Sequence, residues 1–410
     1  MKITNKLLTL VLTLILIAGS AAAFAACSNA EILMVYNWGD YIGADIVAGF
    51  EDYYAEVTGK RIRVIYSTFD TNETMLTQIM DGKEVVDLIC PSEYAIQRLL
   101  VNGYLQPIDK TRLANIGNVE QGIYNKTANV FTDIKLKNGQ AVDFNDYYVP
   151  YMWGTVGILY NADKVTQADL DKGWGLLWNA NNNPNLKERD KIFMKDSIRE
   201  VYVAGVLRLK ELGELPAGYS TMTVEQLINC TEQPLFDAVE ALLIAQKNTI
   251  NPGYEVDTGK DEVVEGNIYV NLAWSGDAFY SIEVADSEYG RPLAYFVPNN
   301  ESNVWFDGWV MHKDANNPQA ALMFLDYLCR ADIAMSNAVE IGYTSGLARD
   351  ILSVSELAIA ILEDGGYDAE EYFADTLRYP DLEDTSYGVM KDFGDQEAVF
   401  RGIWNRVKSA

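Results

Sequence analysis

The sequence is short of the groups most enzymes use for acid–base work: among 410 residues there is one histidine, His312. It stands beside Lys313 and an Asp-Ala-Asn-Asn turn, the setting of a solvated loop residue. A Ser-His-Asp or Cys-His mechanism therefore lacks parts, and a histidine-based metal site lacks ligands. Cysteine is scarce as well. Cys27, Cys90, Cys230 and Cys329 form no Cys-x-x-Cys pair, so neither a disulfide framework nor a zinc site is indicated. Basic residues are outnumbered, 32 Lys and Arg against 59 Asp and Glu, for a formal net charge of −27. That balance leaves no basic face for nucleic acid, and its long-range field favours a cationic ligand. After the N-terminus, no apolar run is long enough to span a bilayer. Asp257-Thr258-Gly259-Lys260 is a poor phosphate loop, because Gly253 is one residue too distant and Asp261 replaces the required Ser or Thr. Glu363–Asp368 lacks the spacing of an EF-hand loop. No cofactor and no metal are expected.

What is present begins with a secretion signal. Lys2 and Lys6 precede the apolar run Leu7–Ala18, and small residues lead into Phe24-Ala25-Ala26-Cys27. This segment resembles a lipobox, which makes 1–27 a lipoprotein signal with Cys27 as the lipidated residue. The remaining chain alternates strand and helix patterns, the mark of an α/β protein. Strands are expected at Ile32–Asn37, Arg61–Ser67 and Val85–Cys90. Between and after them come helices from Ile46, from Thr71 or Asn72, and from Ser92, a natural N-cap. The polar stretch 111–145 reads as an irregular excursion. From Tyr148 a Gly-broken extended run suits a chain crossing between domains. Helices follow near Ser197–Leu212, Thr223–Cys230, Pro234–Gln246 and from Pro318.

A collinear series of segments carries a family resemblance. Tyr36-Asn37-Trp38-Gly39-Asp40-Tyr41-Ile42 is similar to the spermidine/putrescine-binding proteins of bacterial ABC transporters. So are Tyr66–Phe69 with Asn72–Met75, Pro91-Ser92-Glu93-Tyr94, Pro150–Gly154 and Arg199-Glu200-Val201. Trp274–Phe279, Trp305-Phe306-Asp307 and Ile341–Thr344 complete the series. The resemblance implies a type II periplasmic-binding-protein-like α/β fold with a ligand cleft between two lobes. One lobe would comprise 28–150 plus 306–346, the other 151–305 plus 347–410. It implies an extracytoplasmic, lipid-anchored and monomeric protein that hands a polyamine to an ABC permease and catalyses nothing.

A polyamine is a methylene chain bearing ammonium groups. Holding it requires carboxylates at the amines and flat rings along the methylenes, each cation–π contact adding roughly 0.5–2 kcal/mol. The resemblance places Trp38, Tyr41, Tyr94, Trp274, Trp305 and Tyr343 as the rings. Asp40, Glu200, Asp277 and Asp307 are the acids, and Ser92 accepts an amine hydrogen bond or caps its helix. Ser197 stands where spermidine-preferring relatives carry a further acid, with Asp196 displaced by one, and Trp274-Ser275-Gly276-Asp277 is similar to the putrescine-preferring branch. Other readings remain open. A same-fold binder of sugar would want amides and Arg, and an iron binder clustered Tyr such as Tyr147-Tyr148. A secreted glycoside hydrolase would use two carboxylates.

Overall fold

The computed structural model describes residues 30–188 and 190–410; the signal segment and Cys27 lie outside the described residues. β1 (Glu31–Trp38) runs parallel to β2 (Ile62–Phe69), in register from Glu31↔Ile62 to Trp38↔Phe69. The helix Ile46–Thr58 joins them, burying Ile46, Phe50 and Tyr54, and stops at Gly59, whose φ of 71° suits glycine. β3 (Leu88–Ile89) pairs with the other side of β1, and β4 (Leu105–Gln106) precedes the long β5 (Tyr148–Asn161). Next come β6 (Ile192–Lys195), β7 (Gly253–Glu255), β8 (Val270–Trp274) and β9 (Leu293–Phe296). The last are β10 (Ser302–His312), β11 (Thr344–Ser345) and β12 (Tyr387–Gly388).

β5 organises the molecule. Its first half pairs antiparallel with β10, and its second half, from Val156 to Tyr160, pairs with β8. The strand order among the described residues is β2-β1-β3-β10-β5-β8-β6-β7. Parallel pairs therefore lie at both ends, β2-β1-β3 in one half and β8-β6-β7 in the other. Nearly every residue of β5 is buried, as a strand with both faces covered must be. Two apolar cores result. Leu33, Phe50, Ile96 and Phe324 belong to the first, and Val201, Tyr202, Phe236 and Phe400 to the second.

Three expectations change. The stretch 111–145 contains a helix, Gln121–Val130, whose buried Ile123, Thr127 and Val130 repeat at helical spacing behind a polar composition. The strand expected over Val85–Cys90 pairs only at Leu88–Ile89. Ser92 occupies the N-cap position of the helix Glu93–Val101 without making a cap bond. The helix Ser275–Tyr289 has no counterpart in the sequence reading. It buries Ser275, Gly276 and Asp277 beside Phe279, so no apolar stripe announces it. Cys90, Cys230 and Cys329 are buried and free.

Candidate functional site

The C-terminal ends of the parallel strands in both halves open on one cavity of about 460 Å³. This is where α/β sheets bind ligands, since the loops there are free of sheet hydrogen bonding. All eleven sequence-derived cleft residues line it. Trp38 ends β1, Asp40 and Tyr41 follow it, Ser92 and Tyr94 follow β3, and Glu200 sits in the first turn of the helix Ile198–Leu212. Trp274 ends β8, Asp277 begins the next helix, Trp305 and Asp307 come from β10, and Tyr343 immediately precedes β11. Trp305 and Asp307 share a face because β10 stays extended until its register break at Asp307/Gly308.

The rings form connected walls. Tyr343 stands edge-on to Tyr41, centroids 4.9 Å apart, and to Trp305 at 5.8 Å. Trp38 packs on Phe69 at 4.7 Å. Two glycines make room. A Cβ at Gly276 would lie 2.3 Å from the Tyr343 ring, and one at Gly154 would lie 2.8 Å from Trp305 Cζ2 and 2.2 Å from Ser275 Oγ.

The acids divide by what already touches them. Tyr41 donates to Asp307 Oδ2 at 2.8 Å, while Asp307 Oδ1 is buried and unpartnered. Trp274 Nε1 donates to Glu200 Oε1 at 3.2 Å, and Glu200 Oε2 is likewise buried and unpartnered. Asp277 differs, since Tyr343 donates to its Oδ1 at 2.6 Å and Lys195 stands 3.4 Å from its Oδ2. Asp40 is exposed, in a left-handed turn with φ of 49°. Ser92 Oγ accepts from Asn72 Nδ2 at 3.0 Å, and Tyr94 donates to Glu73 Oε1 at 3.0 Å. A buried carboxylate oxygen without a donor costs about 1–3 kcal/mol or more, so Asp307 and Glu200 mark where a donor is to arrive.

A model of the bacterial extracellular solute-binding proteins matches residues 48–349. This chain belongs to that family. The solute-binding protein is 28% identical over 396 residues to the spermidine/putrescine-binding periplasmic protein of Salmonella typhimurium, covering 95% of each chain. It is 29% identical over 400 residues to the putrescine-binding periplasmic protein SpuD of Pseudomonas aeruginosa, covering 96% of each. Its structure resembles that of the spermidine/putrescine ABC transporter substrate-binding protein PotD from Streptococcus pneumoniae, with a TM-score of 0.66 and 26% identity. That match covers 93% of this chain and 99% of the other. The two-lobed α/β fold expected from the sequence is the one these structures share with it.

Further residues of this solute-binding protein's cleft escaped the sequence reading. Glu73, Glu93 and Arg199 line it, each inside a segment that carries the family resemblance. Arg199 lies over Tyr94, its Cζ 3.5 Å from the ring centroid, and is held by Glu397 at 3.4 Å. That ion pair joins residues 198 positions apart, which no local spacing can announce. Glu93 accepts from the Phe306 backbone N–H at 2.9 Å.

Burial raises Asp307, Glu93 and Glu200. It is the main cause that pushes Asp307 up to about 6, against the lowering influence of the neighbouring Ser92 and Tyr41 hydroxyls and with help from the Glu200 charge. It pushes Glu93 up to about 8, against the Phe306 hydrogen bond, and raises Glu200 too. The folded protein thus binds protons that the unfolded chain has released. For Glu93, stability falls as pH rises from about 4.5 to about 8, and for Asp307 from about 3.8 to about 6. The ligand-free protein is therefore expected to lose melting temperature across this window on the alkaline side. Glu93→Gln should flatten the upper part, and a melting series against pH checks both.

Proposed function

We propose that this protein captures a polyamine, putrescine or spermidine, outside the cytoplasm and delivers it to the permease of an ABC importer. It is a transport protein and no enzyme, in keeping with the names of the relatives that span its length. The observation that carries the reading is the pair of unpartnered buried oxygens, Asp307 Oδ1 and Glu200 Oε2, in a cavity walled by Trp and Tyr. An ammonium donates to such an oxygen and cancels its charge, and the rings cover the methylenes between amines. A sugar hydroxyl would satisfy the hydrogen bond and leave the buried charge uncompensated.

Asp307, Glu200, the six rings and Ser92 would hold the ligand, with Asp40 at the rim. Ligand touching both lobes shifts the population towards a closed cleft, the form a permease recognises. The lobes would be 28–150 with 306–346 and 151–305 with 347–410, hinged where β5 and β10 pass between them. Lipidation of Cys27 and a monomeric state belong to the same proposal. No described helix is long and apolar enough to cross a membrane. Calorimetric titration of the purified protein with putrescine, spermidine, maltose and phosphate is the test. Saturable heat with a polyamine alone is expected. Saturation by maltose or phosphate with no response to either polyamine refutes the reading.

A further inference from the structure

Lys195 is a fully buried lysine at the end of β6. Its ammonium donates to the Val256 carbonyl at 2.8 Å and stands 3.1 Å from Glu255 Oε1 and 3.4 Å from Asp277 Oδ2. It also lies over the Trp274 ring, 4.1 Å from the centroid. A carboxylate and an aromatic face around one ammonium are what the cleft is proposed to offer its ligand. At this corner the protein supplies that ammonium itself.

The rest of the corner is closed in the same way. The second oxygen of Asp277 takes the Tyr343 hydroxyl, and Glu255 Oε2 takes the Gly259 N–H at 2.9 Å. Lys260 lines the same cavity and interacts electrostatically with Asp257 and Asp277. Among the described acids that line the cleft, only Asp307 and Glu200 keep a buried oxygen without a hydrogen bond, whereas Glu255 Oε1, outside the lining, faces the Lys195 ammonium at 3.1 Å. Tyr41 and Tyr343, edge to face, separate Asp307 from Asp277 along one wall.

We infer that Lys195 is a specificity-determining residue: a tethered ammonium that fills the Asp277 station, so that the cleft selects a ligand with two charged amines over one with three. The inference rests on the polyamine reading above. A diamine satisfies the two vacant stations. A triamine must set its third ammonium against the Lys195 and Lys260 charges or leave it out of the slot, and like charges in a poorly solvated cleft repel strongly.

Calorimetry with putrescine and spermidine on the purified protein tests this. The native protein is expected to bind putrescine tighter by about tenfold or more. Lys195→Met removes the charge and keeps the bulk, freeing Asp277 and Glu255 for a ligand ammonium. The ratio of the two dissociation constants should then move towards spermidine by about tenfold or more. Should Lys195→Met fail to fold, Lys195→Gln, which retains a donor for Asp277, is read the same way. Equal or tighter spermidine binding by the native protein overturns the inference, as does an unchanged ratio in a folded variant. Both results leave the polyamine reading standing. Heat with neither amine overturns that reading and this inference together.

Discussion

Asp307→Asn is expected to weaken polyamine binding by about 2–4 kcal/mol, roughly thirty- to a thousandfold, while the protein stays folded. Asparagine keeps the shape and can still accept from Tyr41, so the 2.8 Å hydroxyl contact survives. What is lost is the negative charge behind Oδ1, the buried atom that has no hydrogen-bond partner among the described residues. The ligand ammonium would then be desolvated against a neutral amide, which recovers little of its hydration. The effect on stability has the opposite sign. Burial already pushes this carboxyl up to about 6, so its ionised form opposes folding at neutral pH and the amide relieves that cost. The variant should therefore melt no lower than the native protein without ligand while responding far less to putrescine. Calorimetry and melting curves measure the two quantities separately, and unchanged affinity would remove Asp307 from the site.

Trp305→Ala should cost about 3–5 kcal/mol of stability, the usual loss when a buried tryptophan is truncated, and should lower affinity as well. Trp305 is 8% exposed and stands against the Cα of Gly154, with its ring at the edge of Tyr343. Its removal leaves a void where β10 pairs with β5, and it releases Tyr343, whose hydroxyl fixes Asp277. Trp305→Phe is expected to retain most of the stability. The indole N–H has no partner in the ligand-free protein, so its loss strands no acceptor. Chemical denaturation distinguishes the two variants. Equal stability of Trp305→Ala and the native protein would show that the ring is not part of the packing.

Much of the architecture is legible from period and punctuation. The helix Ile46–Thr58 carries its buried residues four apart and ends on a glycine, and β5 announces itself as a Gly-broken extended run. The helix Ser275–Tyr289 was missed for a physical reason. Its first turn is buried in the cleft for the sake of Asp277 and Gly276, so polar and small residues stand where an apolar stripe would be read. The helix Gln121–Val130 was missed because a buried threonine, Thr127, bonded to Tyr148 and Asn145, replaces one member of its stripe.

The sequence by itself determined the class of the molecule and the material of its cleft. Strand and helix periods, the acidic excess, the single histidine and the run of aromatic–acid segments are local properties, readable one window at a time. Which acids keep a free oxygen was decided only by the tertiary structure. Asp277 and Asp307 look alike along the chain, but folding sets Lys195, 82 positions away, against one and leaves the other an oxygen without a donor. Charge pairing acts through space and depends on burial, so it is defined only once the strands have brought distant side chains together.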